Sequence, residues 1–210
     1  MCRWMNCLAI AVCLLQTGWA NAGEYNQALN IGDAGPAWRN LPGIDGKTHS
    51  LVDLAKKDVV VVVFTCNSCP VAVDYEDRII DFTKKYAGPE DKVAVVAINV
   101  NKIEADSLPM MKERAKERGF NFPYLFDETQ GIAKAYGATY TPEFFVLGKD
   151  RKVVYMGGMD DDSNPEKVKT NYLVPAVEAA LAGKKPEIAE TLARGCMVRY
   201  AKERRKKASN

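Results

Sequence analysis

The chain has 210 residues, a formal net charge of +2 and one histidine, and 47 % of its residues are apolar. That length is enough for one domain with a proper core. The near-balanced charge leaves no electrostatic argument for a nucleic-acid partner.

Residues 1–22 read as a signal peptide. Arg3 supplies a positive start, Cys7 to Leu15 is uncharged and apolar but too short to span a bilayer, and Ala20-Asn21-Ala22 is an A-x-A cleavage site. The alternative is a retained N-terminal anchor. Cleavage after Ala22 would deliver the chain to the periplasm or the exterior. It would also remove Cys2, Cys7 and Cys13, leaving three of the six cysteines in a compartment where a disulfide can persist.

Residues 23–31 are small and polar and form an expected flexible lead-in. Trp38 to Asp53 carries turn signals at Pro42-Gly43 and Asp45-Gly46, so a short hairpin is expected there, with Ser50 capping a brief helix through Lys56. Val59 to Thr65 is a continuous β-branched run that suits a central strand covered on both faces. Cys66-Asn67-Ser68-Cys69-Pro70 follows, then helical spacing from Cys69 to Tyr86 and a stop at Gly88-Pro89. A second strand is expected over Lys92 to Val100, a helix over Ser107 to Gly119, a short strand over Phe122 to Phe126 and a helix over Glu128 to Tyr136. Glu143 to Leu147 and Lys152 to Tyr155 read as a hairpin turned at Gly148 to Arg151, followed by a helix from about Asn171 to Ala182. Such alternation gives an α/β fold with a central mixed sheet, helices on both faces, an N-terminal hairpin and an inserted helix-strand element. The expected domain is 32–190, followed by a basic C-terminal tail over 191–210.

The chemistry concentrates at the two cysteines. The strand run predicts Cys66 at or just before a helix start and Cys69 in the first turn, where unpaired N–H groups favour thiolate over thiol. Two sulfurs at this spacing can close a small disulfide ring and reopen it. Strand, C-x-x-C, helix is the context that makes the spacing a redox signal.

The chain resembles the thioredoxin superfamily, and more closely its exported TlpA-like and AhpC/TSA-like redoxins. The resemblance rests on Gly32 to Trp38 with Asp45-Gly46-Lys47 and Ser50-Leu51, on Phe64 to Pro70, on Asn121 to Glu128 and on Tyr136 to Pro142. It implies a thioredoxin-like fold, redox-active Cys66 and Cys69, and a cis proline at Pro142 with Thr141 before it docking the substrate. It also implies thiol–disulfide exchange with protein thiols and an unidentified redox partner, and requires no cofactor or metal. Cys66 would attack a substrate disulfide, and the more buried Cys69 would resolve the mixed disulfide. Two positions depart from the thioredoxin pattern: Val60 stands where a buried acid is usual, and Asn67-Ser68 contributes no cation.

Two alternatives belong beside this reading. One is a peroxiredoxin-like peroxidase that attacks peroxide with Cys69 and resolves with Cys66, although Val62 and Cys66 replace that family's proline and threonine. The other is a copper-binding protein that adds His49 to the two cysteines. Cys196 reads first as buried and inert, with a resolving thiol or an interchain bond as the other choices. Asp160-Asp161-Asp162 reads as a solvated loop, and Lys202 to Lys207 as a solvated tail with at most a weak attraction to anionic lipid.

Overall fold

The structure, a computed structural model, describes residues 23–202. The expected signal peptide over residues 1–22 and residues 203–210 of the expected basic tail lie outside the described residues.

The sheet is built on β3 (Val59–Phe64), every residue of which is buried. Successive side chains of a strand point to opposite faces. Val59, Val61 and Val63 therefore enter one core, and Val60, Val62 and Phe64 the other. This explains why the run is apolar without alternation. β4 (Val93–Asn99) lies parallel to β3, and β5 (Tyr124–Phe126) lies parallel to β4. On the other side β7 (Glu143–Leu147) and β8 (Val153–Gly157) add antiparallel, completing the order β5-β4-β3-β7-β8. The sheet is mixed, as expected.

Helices cover both faces. α2 (Glu76–Tyr86), α3 (Leu108–Arg118) and α5 (Leu173–Leu181) send Ile79, Phe82, Met111, Leu173, Ala176 and Val177 into the first core. α4 (Gly131–Tyr136) sends Ala133 and Tyr136 into the second, beside Trp38 and Leu51 from the N-terminal segment. The expected hairpin is present as β1 (Leu41–Pro42) against β2 (Thr48–His49). A one-turn 3-10 helix follows at Leu51–Leu54, entered through a Ser50 N–H bond to Asp53 Oδ2 at 2.7 Å.

The structure departs from the expected elements at three places. The helix expected over Cys69 to Tyr86 is two helices, α1 (Pro70–Asp74) and α2, meeting at Tyr75. The Tyr75 N–H turns back to Ala72 O at 3.2 Å, a tightened 3-10 bond that breaks the α ladder. The lead-in is tied down. Glu190 accepts the N–H of Glu24, Tyr25 and Asn26 at 2.9, 2.7 and 3.1 Å, and Leu29 is buried. The segment after residue 190 belongs to the domain as far as the structure describes it. β9 (Cys196–Met197) pairs antiparallel with β6 (Tyr140–Thr141), and Val198 N–H donates to Thr139 O at 2.8 Å. Gln130 and Asn101 then hold Arg199 and Ala201 through their backbone groups.

Candidate active site

Strand β3 ends as Thr65 N–H donates to Ile98 O at 3.1 Å, and the chain turns through Cys66 to Cys69 before Pro70 opens α1. Cys69 is the N-cap, one position earlier than expected, because a proline is best tolerated as the first helical residue. Its sulfur accepts the Ala72 N–H at 3.3 Å. Both cysteines are buried, Cys66 at 4 % exposed and Cys69 at 1 %.

The peptide bond from Thr141 to Pro142 is cis, and Thr141 lies against both sulfurs. Thr141 Oγ1 is 3.4 Å from Cys66 Sγ, and Thr141 O is 3.2 Å from Cys69 Sγ. Sequence positions about seventy residues apart thus converge on one spot. The loop before Pro142 is held by Glu143, whose buried carboxylate accepts the N–H of Thr139 and Tyr140 at 2.7 and 3.0 Å. Burial pushes the Glu143 carboxyl above its usual range, and the two N–H donors oppose that rise.

The connection between the cysteines is clamped by Asp106, which is wholly buried. Its carboxylate accepts Asn67 N–H at 2.7 Å, Ser68 N–H at 3.1 Å and the Ser68 hydroxyl at 2.6 Å. Asn101 Nδ2 donates to it at 3.0 Å. Ser68 Oγ lies 3.7 Å from Cys66 Sγ, so a chain of polar contacts runs from Cys66 to a buried acid. Asp106 is not among the residues the sequence pattern places at the site. Val60 stands where the acid is usual, and this carboxylate reaches the cysteine loop from the turn that follows β4.

The sulfurs are thiols, and they share their protons unequally. Cys69 is held well below the ordinary thiol range, at about 5, chiefly by the Cys66 thiol donating to it. The Cys196 thiol, the Ala72 N–H and the Thr141 hydroxyl add to this, while burial opposes it. Cys66 is pushed up, first by its bond to Cys69, then by burial and by the negative charge of Asp106. The contact from Cys69 Sγ to Thr141 O is a hydrogen bond only while Cys69 keeps its proton.

Cys196, expected to be buried, is half-buried and lies at this site. It sits opposite Thr141 in the β6–β9 pair and packs on Cys66, Cys69 and Ala72. Gly195 makes the approach possible, since a Cβ there would overlap the Thr141 carbonyl. Beside it lies a cleft of about 220 Å³ lined by Val71, Tyr75, Pro142, Arg194 and Gly195 among others. Asp160, expected in a solvated loop, closes that cleft in a buried ion pair, with Arg78 Nη1 at 2.6 Å and the Tyr75 hydroxyl at 2.8 Å. His49 lies in β2 and binds Asp45 Oδ1 at 3.0 Å. Among the described residues, no group of three or more His, Cys, Asp or Glu side chains is placed to hold a metal ion.

The pattern of the AhpC/TSA family matches residues 31–156, a span that contains Cys66, Cys69, Asp106, Thr141 and Pro142. The chain belongs to the AhpC/TSA family. The crystal structure of a hypothetical protein from Sinorhizobium meliloti 1021 superposes with a TM-score of 0.76 at 31 % identity, covering 84 % of this chain and 97 % of that one. The thiol-disulfide oxidoreductase ResA of Geobacillus thermodenitrificans (strain NG80-2) is 24 % identical over 148 residues, 70 % of this chain and 79 % of that protein. A thioredoxin-family thiol:disulfide interchange protein from Chlorobium tepidum TLS superposes with a TM-score of 0.57 at 21 % identity, covering 73 % of this chain and 99 % of that one. The fold of this redoxin is thioredoxin-like.

Proposed function

We propose that this redoxin is a thiol–disulfide oxidoreductase that exchanges a Cys66–Cys69 disulfide with the thiols of other proteins. The observation that carries the reading is the convergence of Cys66 and Cys69 on the cis Thr141–Pro142 turn, with Thr141 3.4 and 3.2 Å from the two sulfurs and Pro142 lining the adjacent cleft. Cys66 attacks the substrate disulfide. Its proton passes to the neighbouring Cys69 thiolate, and the departing thiolate of the substrate then takes it up. Cys69, a thiolate again, attacks Cys66 Sγ and releases the second substrate sulfur as a thiolate, which takes its proton from solvent. The substrate disulfide gains two electrons, and the Cys66–Cys69 pair loses two. The internal hand-over gives the reaction a proton acceptor without the acid usual at position 60. Thr141 and Pro142 present the backbone against which the substrate lies.

Residues 1–22 would act as an export signal, delivering a mature chain that begins at Gly23. N-terminal sequencing of the exported protein tests this.

Reduction of insulin disulfides by the full mature chain tests the exchange. Cys66→Ala abolishes turnover, and Cys69→Ala leaves partners covalently held on Cys66. Full activity in Cys66→Ala would overturn the assignment.

One observation favours a second reading. The low thiol range of Cys69 suits a peroxide-attacking cysteine, which would become a sulfenic acid and lose water on forming the bond to Cys66. Stopped-flow peroxide consumption decides between the two, because the exchange reading predicts a rate no faster than that of a free thiol.

A further inference from the structure

Cys66 and Cys69 account for two of the three thiols that meet at this site. The third comes from beyond the span that the AhpC/TSA pattern matches. Cys196 lies against the other two, half-buried, and is followed by the exposed Met197. Its segment is anchored on both sides of the cysteine. Thr141 Oγ1 lies 3.4 Å from Cys196 O, while Val198 N–H donates to Thr139 O at 2.8 Å and Arg199 N–H to Asn101 Oδ1 at 3.0 Å. Thr141 carries Cys69 on its carbonyl and faces Cys196 across the β6–β9 pair, so one residue positions both sulfurs. Cys196 and Cys69 act on each other's protonation, Cys196 lowering the Cys69 thiol and Cys69 raising the Cys196 thiol. A Cys69–Cys196 bond would join two sulfurs that already share one packed cluster.

We propose that Cys196 is a third redox thiol, which exchanges with the Cys66–Cys69 disulfide to form a Cys69–Cys196 disulfide. The inference rests on the Cys66–Cys69 pair being redox-active. In the exchange, Cys196 loses its proton and attacks Cys69 Sγ. The bond between Cys66 and Cys69 breaks, and Cys66 leaves as the thiolate and takes the proton. No net oxidation occurs, so no further oxidant or reductant is required. Burial favours protonated Cys66 as the product, and Cys69 remains the shared sulfur throughout. The exchange carries the disulfide from two closed-in positions to the edge of the cleft beside Gly195. There a partner's thiolate meets Cys196 before it meets Cys66.

The test uses the full mature chain oxidised with oxidised glutathione, then digested and analysed by mass spectrometry under acid. Cys66→Ser should yield a cross-linked peptide joining Cys69 to Cys196, and Cys196→Ser should yield the Cys66–Cys69 peptide alone. A Cys66–Cys69 bond in Cys196→Ser, with only free thiols or glutathione adducts in Cys66→Ser, overturns the third thiol and leaves the oxidoreductase reading standing. Absence of both cross-links overturns both. Should Cys66→Ser fail to fold by circular dichroism, the wild-type digest decides: a minor Cys69–Cys196 peptide supports the exchange, and its absence overturns it.

Discussion

The Ser68 hydroxyl donates to Asp106 Oδ2 at 2.6 Å, and Asp106 Oδ1 takes the Ser68 N–H at 3.1 Å. Side chain and backbone of one loop residue are thus gripped by one buried carboxylate. Asn67 adds its N–H at 2.7 Å, so the two residues between the cysteines have little freedom to swing.

Asp106→Ala would leave those N–H groups, together with the Asn101 amide, unpaired in a closed site. Removing one partner of a buried charged network costs about 3–5 kcal/mol. Urea unfolding should show a loss of that size, and Asp106→Asn a smaller one. The negative charge also raises the Cys66 thiol. Asp106→Asn should therefore move the Cys66 titration downward, read from thiolate ultraviolet absorbance in a Cys69→Ala background. An unchanged Cys66 titration would mean that the carboxylate acts on the loop and not on the sulfur.

Thr141→Val keeps the shape of the side chain and removes the hydroxyl that lies 3.4 Å from Cys66 Sγ. That hydroxyl lowers the Cys66 thiol, so its loss raises the thiol further. One net hydrogen bond is worth about 0.5–1.5 kcal/mol, which corresponds to a roughly 2- to 10-fold slower exchange. Insulin-reduction rates measure this. A variant as fast as the wild type would show that Thr141 acts through its backbone alone.

Much of this site is legible in the sequence, because its chemistry coincides with local pattern. The β3 valines announce a buried strand, Pro70 a helix start, and Thr141-Pro142 a turn before an apolar run. Asp106 is not legible, since a single aspartate in a loop carries no period and its partners lie 38 and 39 residues away. The approach of Cys196 does leave a trace. Cys196, Val198 and Tyr200 fall two residues apart with the exposed Met197 and Arg199 between them, the spacing of a half-buried strand. Arg194, Arg199 and Lys202 draw the eye to a solvated tail instead. The break at Tyr75 has no local cause of the Pro or Gly kind. At the break, Tyr75 places its ring under Arg78 at 3.7 Å and its hydroxyl on Asp160, a contact across 85 residues that no local pattern announces.

Tyr136 packs into the core by its ring, 5.3 Å from Phe64 and 5.0 Å from Phe145 between centroids. Its hydroxyl is buried and finds no partner among the described residues. An unmet buried hydroxyl costs about 1–3 kcal/mol. Tyr136→Phe should therefore leave stability unchanged or raise it by up to about that amount, with exchange activity intact. Thermal unfolding of the oxidised protein is the measurement. A clear loss of stability would reveal a partner for the hydroxyl.

The unequal sharing of protons between Cys66 and Cys69 predicts an unusual pH dependence. Cys69 falls from an ordinary thiol value of 9.0 to about 5 in the folded protein. A depressed folded value contributes stability that is fully present above the unfolded value and is lost as pH falls toward the folded one. Reduced protein should thus resist urea better as pH rises from about 5 to about 9, and Cys69→Ala should abolish that rise. Cys66 is displaced upward and keeps its proton through the same window. Reduction of the disulfide then takes up two electrons but one proton. The potential should fall by about 30 mV per pH unit, where a pair taking up two protons falls by about 59 mV. Equilibration with glutathione across the neutral range reads the slope directly. The steeper slope would return the missing proton to Cys69 and remove the thiolate on which the proposed proton hand-over depends.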